Sequence, residues 1–154
     1  MRASQLLDDI RDNLKDFDIE YVRNKVTDDR YKDPLTKKLA KHNSEAYDEI
    51  FEIELSNDFT ISDEDINNLK KDIDYYFEKY NPHDEENQKL TKYICLYLAF
   101  INKKPLHPFG NSPTDDVYEK NNEYYCKGRS RYIKEKNSLC KYCCTKVAPF
   151  NHLF

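Results

Sequence analysis

The sequence predicts a mainly α domain, a helical bundle carrying a C-terminal β-hairpin and a Cys/His metal knuckle. Three observations lead there. Only two of the 154 residues are glycine, so few turns can take a positive φ cheaply, and long helices are favoured over an all-β fold. Up to residue 101 the apolar residues recur at three- and four-residue steps, the period of an amphipathic helix. Beyond Pro105 that period stops, and both glycines and four of the five cysteines fall between Pro105 and Cys144. The length suits one domain, read as a helical body over 1–104, a hairpin plus Cys/His module over 105–144 and a tail over 145–154.

Taken in order, Ser4 can cap a first helix whose stripe is Leu6, Leu7, Ile10, Leu14 and Phe17. Ile19, Tyr21, Val22 and Val26 either continue it or begin a second helix after Asp18. Asp33-Pro34 marks a break, because the residue before proline avoids the helical region. Leu35, Leu39, Ala46, Tyr47, Ile50, Phe51 and Leu55 predict a helix from about Pro34 to Ser56, with an interruption conceivable near His42-Asn43-Ser44. Ser62 followed by Asp63, Glu64 and Asp65 is a strong helix start, with acids where the helix dipole favours them. Ile66, Leu69, Ile73, Tyr76, Phe77 and Tyr80 form its stripe, and Asn81-Pro82 ends it. Asp84, Glu85 and Glu86 open the next helix. Its residues Leu90 to Ile101 are apolar almost all round, the mark of a helix covered on several sides. Pro105 stops it.

Val117 to Lys120 and Glu123 to Cys126 read as the two arms of a hairpin, since Asn121-Asn122 tolerates the left-handed backbone such a turn requires. Asn137-Ser138 can cap a short helical turn carrying Cys140 and Cys143.

Composition bounds the chemistry. With 38% apolar and 35% charged residues, the core is thin, and thirteen Tyr and eight Phe must supply much of the buried area. The net charge of −4 hides an asymmetry. Residues 1–101 hold 15 basic and 24 acidic side chains, while residues 102–154 hold 10 basic and 5 acidic. An acidic body therefore carries a basic module, which predicts attraction between the halves first and an anionic partner second. The longest apolar run, Tyr93 to Ile101, is far short of the roughly 20 residues that span a bilayer. No membrane association is expected, and the protein is expected to be cytoplasmic. In a reducing compartment clustered cysteines favour metal or redox chemistry over disulfides.

The cysteines have ligand spacing. Cys140 and Cys143 form C-x-x-C, which lets two sulfurs of one tight turn face one ion. Cys126 lies two residues before Gly128, where backbone can wrap a thiolate. A closed tetrahedral site needs a fourth ligand, from His107, Cys144 or His152. His107 is preferred, because adjacent Cys143 and Cys144 side chains strain to reach one ion and His152 sits near the chain end. Zinc suits a Cys₃His set, and structural zinc supplies folding energy to a small module. A Cys₄ set using Cys144 would instead suit an iron–sulfur cluster. Packed thiols without metal and a thiol–disulfide pair at Cys140/Cys143 are the competing readings.

The order Lys104-Pro105-Leu106-His107-Pro108-x-Gly110, Val117-Tyr118, Tyr124-Tyr125-Cys126 and Leu139-Cys140-x-Tyr142-Cys143 resembles the C-terminal signature of a family of small proteins from methanogenic archaea, a domain of unknown function. The resemblance covers residues 90–144 best. It implies that His107, Cys126, Cys140 and Cys143 are motif positions, and it implies no activity. Phe109 stands where a second proline is expected, and Cys144 is an additional thiol.

Other motifs are excluded. His42-Asn43-Ser44-Glu45-Ala46 has alanine where a zinc protease needs its second histidine. Isolated glycines rule out phosphate loops and dinucleotide fingerprints. Cys95 and the stripe of Tyr75, Tyr76, Tyr93 and Tyr97 are expected in the core. The basic run Lys127, Arg129, Arg131 and Lys134, with Tyr132 inside it, could meet nucleic acid. No catalytic residue is assigned. The leading expectation is a non-enzymatic binding or adaptor protein with a structural zinc site, and the alternative is a metalloenzyme or iron–sulfur protein using the same cysteines.

Overall fold

The computed structural model describes residues 1–149; the tail beyond, including His152, lies outside the described residues. Five helices make the body: α1 (Ala3–Leu14), α2 (Ile19–Thr27), α3 (Pro34–Glu52), α4 (Asp63–Tyr80) and α5 (Glu85–Leu96). One π turn, Tyr97–Ile101, continues α5. The module follows as β1 (Val117–Lys120), β2 (Glu123–Cys126), the single turn α6 (Arg129–Tyr132), a 3₁₀ turn (Leu139–Tyr142) and β3 (Lys146–Val147).

Local chemistry sets the helix ends. Asp33 caps α3 through the Leu35 N–H, with Pro34 in the first turn, where its missing N–H costs nothing. Ser62 caps α4 through Asp65, and Asp84 caps α5 through Asn87. Ser4 is not a cap. It lies inside α1, and the Asp58 carboxylate accepts from its N–H at 2.9 Å and its hydroxyl at 2.7 Å. A remote loop thus does the capping, held there by Ala3 donating to the Phe59 carbonyl and Ile61 to that of Met1. Helix α3 runs unbroken through His42 and stops at Glu52.

The core is one cluster. Leu6, Ile10, Leu14, Ile50, Leu69, Leu90, Leu96 and Tyr97 are fully buried in it. The apolar all-round stretch of α5 is central, as its pattern predicts. Tyr97 buries its ring and donates to Glu49 at 2.9 Å; Glu49 also accepts from Asn102 and from Lys104 at 3.2 Å. Of the six stripe residues of α4, Ile66, Leu69, Ile73 and Phe77 are buried, but Tyr76 and Tyr80 are exposed, and so is Tyr75, also expected in the core. Leu35, Leu39 and Phe51 of α3 are likewise exposed.

The hairpin forms in the predicted register, Val117 opposite Cys126, and Asn121 and Asn122 take φ of 53° and 64°. A third strand joins it: β3 pairs parallel to β2, with Cys126 opposite Val147. The Pro105–Gly110 loop is pinned to the sheet by the edge-to-face pair Phe109–Tyr124 and by Gly110 donating to the Val117 carbonyl. A side chain at Gly110 would collide with the Asp115 carboxylate. Among the described residues, no helix is long and apolar enough to cross a membrane.

Candidate functional site

Sheet topology brings the cysteines near one another. Strand β2 ends on Cys126, and β3 begins just after Cys143, Cys144 and Thr145; pairing the two strands sets Cys126 beside the C-x-x-C turn. Ser138 caps that turn by accepting from the Cys140 N–H at 3.1 Å. Arg129 then ties the pieces together, donating through Nη1 to the carbonyls of Cys140 and, at 3.2 Å, Cys143. The turn is anchored to the body through buried Asp72 of α4. Its Oδ2 accepts from the Tyr142 hydroxyl at 2.8 Å and pairs with Lys141 at 3.0 Å. This pair and Lys104–Glu49 are the contacts the opposite charges of the two halves predict.

The backbone around the sulfurs is arranged for anions. Burial pushes the Cys126 thiol up and the neighbouring Cys140 and Cys143 push it further, while the N–H groups of Gly128 and Arg129 favour its thiolate. Cys143 is held low. The Cys144 thiol donates to its sulfur, and the Thr145 hydroxyl and the N–H groups of Leu106 and Thr145 add to that against the cost of burial. The Thr145 hydroxyl lies 3.4 Å from the Cys143 sulfur. Cys144 is correspondingly raised, first because it keeps its proton for Cys143. Cys95 is in the core as expected, and burial pushes its thiol up to about 12.

His107 is exposed on the Pro105–Gly110 loop. With Cys126, Cys140 and Cys143 it lines one groove of about 850 Å³. All four predicted positions therefore share a cavity. They do not touch as ligands: among the described residues, no three His, Cys, Asp or Glu side chains are close enough together to hold an ion.

Of the basic run, Arg129 is used internally, Arg131 stacks over its neighbour Tyr132 at 5.4 Å, and Lys127 and Lys134 are exposed.

One residue the motif search discarded is distinctive. His42 Nε2 is buried without a hydrogen-bond partner among the described residues. Burial, and then the nearby His107, push the ring down to about 4, against a Leu106 backbone contact that favours its proton. No sequence pattern marks it, because Leu106 is 64 positions away.

A family model described as an uncharacterized protein conserved in archaea (DUF2115) matches residues 4–147. The chain belongs to this family. UPF0305 protein MJ0646 of Methanocaldococcus jannaschii is 31% identical over 95% of this chain and 96% of its own length. A UPF0305 protein of Methanothermobacter thermautotrophicus is 31% identical over 49% of each chain. UPF0305 protein MMP0665 of Methanococcus maripaludis is 34% identical over 58% of this chain and 55% of its own. The methanogen resemblance of the C-terminal residues thus extends through the helical body. No solved structure matches.

Proposed function

We propose that residues 105–147 form a metal clip, in which Cys126, Cys140 and Cys143 with His107 hold a structural Zn²⁺, and that the protein works as a non-enzymatic binding module. The observation that carries this reading is topological: the β2–β3 pairing sets Cys126 beside the turn of Cys140 and Cys143, and all three line one groove with His107. Three sulfurs within electrostatic reach of each other cannot all ionise beside one another without a cation, and Arg129 supplies a single charge. A divalent ion removes the mutual repulsion and offsets the burial cost together. Capture requires the Cys140 and His107 side chains to turn inward from the groove wall. His107 is the fourth ligand in this reading, since the adjacent Cys143 and Cys144 side chains strain to reach one ion.

The test is elemental analysis of anaerobically purified protein, with Cys126→Ser and Cys140→Ser beside it. The wild type should be colourless and carry one equivalent of zinc, and either variant should lose most of it. Brown protein absorbing near ~400 nm with iron bound would replace zinc by a cluster. Metal-free protein with all its thiols free would end the clip reading.

A further inference from the structure

The groove that the thiols line has a second chemistry. Tyr76, Tyr80 and Tyr132 also line it, yet they stay 53%, 63% and 44% exposed. Tyr76 and Tyr80 lie with ring centroids 4.9 Å apart, and the Lys79 ammonium sits 5.3 Å from the Tyr80 ring. Large exposed rings grouped on one concave face are costly to leave in water and mark a surface that something covers.

Charge identifies the occupant. Among the described residues, Lys25, Lys79 and Lys136 line the groove, and Glu135 is its one carboxylate. Among the described residues none of these three lysines makes an ion pair, so the lining carries three cations against one carboxylate. On a chain of net charge −4, the groove keeps its cations unneutralised beside flat aromatic faces. An acidic peptide would satisfy the charge and leave the rings bare. A duplex would satisfy the charge but hides its base faces in the stack. Single-stranded nucleic acid satisfies both, its bases stacking on tyrosine while its phosphates meet lysine. The hydroxyl and amide groups of Thr36, Asn43 and Asn87 on the same walls can hydrogen-bond a ribose 2′-hydroxyl, the group that separates RNA from DNA.

We infer that this groove binds single-stranded RNA without strong sequence preference, with Tyr76, Tyr80 and Tyr132 as stacking platforms and Lys25, Lys79 and Lys136 on the phosphates. The inference builds on the reading of the protein as a binding module and not on the metal.

The experiment is fluorescence anisotropy of a fluorescein-labelled decauridylate RNA with full-length protein, the zinc content of the same sample being measured. Binding should weaken about twentyfold between roughly 50 and 200 mM salt, as three phosphate contacts on a single strand require. Tyr76→Ala and Tyr80→Ala should each weaken it about tenfold, and Lys79→Ala should weaken it and flatten the salt dependence. All three positions are exposed, so circular dichroism should match the wild type. No binding at the lower salt overturns the inference, as does unchanged affinity in the tyrosine variants. Equal binding of decathymidylate DNA overturns the RNA assignment, and equal displacement by polyglutamate overturns the stacking role. A zinc-loaded sample that fails to bind overturns this inference alone; a metal-free sample that binds overturns the clip alone.

Discussion

The helical body and the C-terminal module are held together by different physics. In the body, α1, α4, α5 and the π turn bury Leu6, Ile10, Leu69, Leu96 and Tyr97 completely, and apolar area removed from water is the dominant stabilising term. Among the described residues, the module after residue 106 buries only Val117, Tyr118 and Thr145. It holds its shape through a two-register sheet, the Arg129 hydrogen bonds, and the Asp72 contacts to Lys141 and Tyr142. A region with so few buried side chains is the one that gains most from an ion, because binding free energy there is folding free energy.

The difference is open to breakage from either side. Leu96→Ala removes a fully buried side chain where α5 meets its neighbours. It should cost about 3 to 5 kcal/mol, lowering the urea midpoint of body and module alike. If only the body melted earlier, the two regions would not share a core.

The next effect is electrostatic and sits at the junction. The folded His42 ring has its pKa pushed down to about 4 by burial and by His107 and Lys104, against about 6.5 when unfolded. Above pH 6.5 neither state holds the proton, and stability is complete. Between 6.5 and 4 the unfolded chain binds the proton and the folded one does not, so stability falls as pH falls. The loss should approach about 3 kcal/mol near pH 4. Urea unfolding at a series of pH values checks this, and His42→Leu should abolish that portion of the pH dependence.

Asp72→Asn weakens the charge pair with Lys141 while keeping an acceptor for Tyr142. It should cost about 1 to 2 kcal/mol, and amide exchange should rise around residues 139–143 with α1 unchanged. Equal loss of protection throughout α1 would mean the module is no separable unit.

The two regions also differ in how far their residues foretold them. Periodicity located α1, α3, α4 and α5, because a helix that buries one face must repeat every three or four residues; it left open whether Ile19 to Val26 continued α1 or began α2. It could not say where a covering neighbour ends. Tyr76 and Tyr80 occupy the same stripe as Ile73 and Phe77, and only the packing reveals that they border a groove. The α1 cap was out of reach for a related reason, since Asp58 acts across more than fifty residues of chain. In the module the Asn121-Asn122 turn was readable from its backbone needs. The two-residue β3 was not, being too short to show alternation. The cysteine spacing pointed to one metal ion; Cys126, Cys140, Cys143 and His107 line one groove, but among the described residues no three of them are grouped closely enough to hold an ion. The strand pairing that sets Cys126 beside the Cys140–Cys143 turn comes from the fold, since the two-residue β3 left no sign in the sequence. His42 shows the converse: a failed motif match said nothing about its burial beside Leu106.

The most direct test of a cation-held module on a burial-held body is hydrogen–deuterium exchange of the purified protein with and without a strong chelator. The account predicts that chelation strips protection from residues 105–147 while α1, α4 and α5 keep theirs. Exchange that is unchanged everywhere, or that rises equally in both regions, would contradict it.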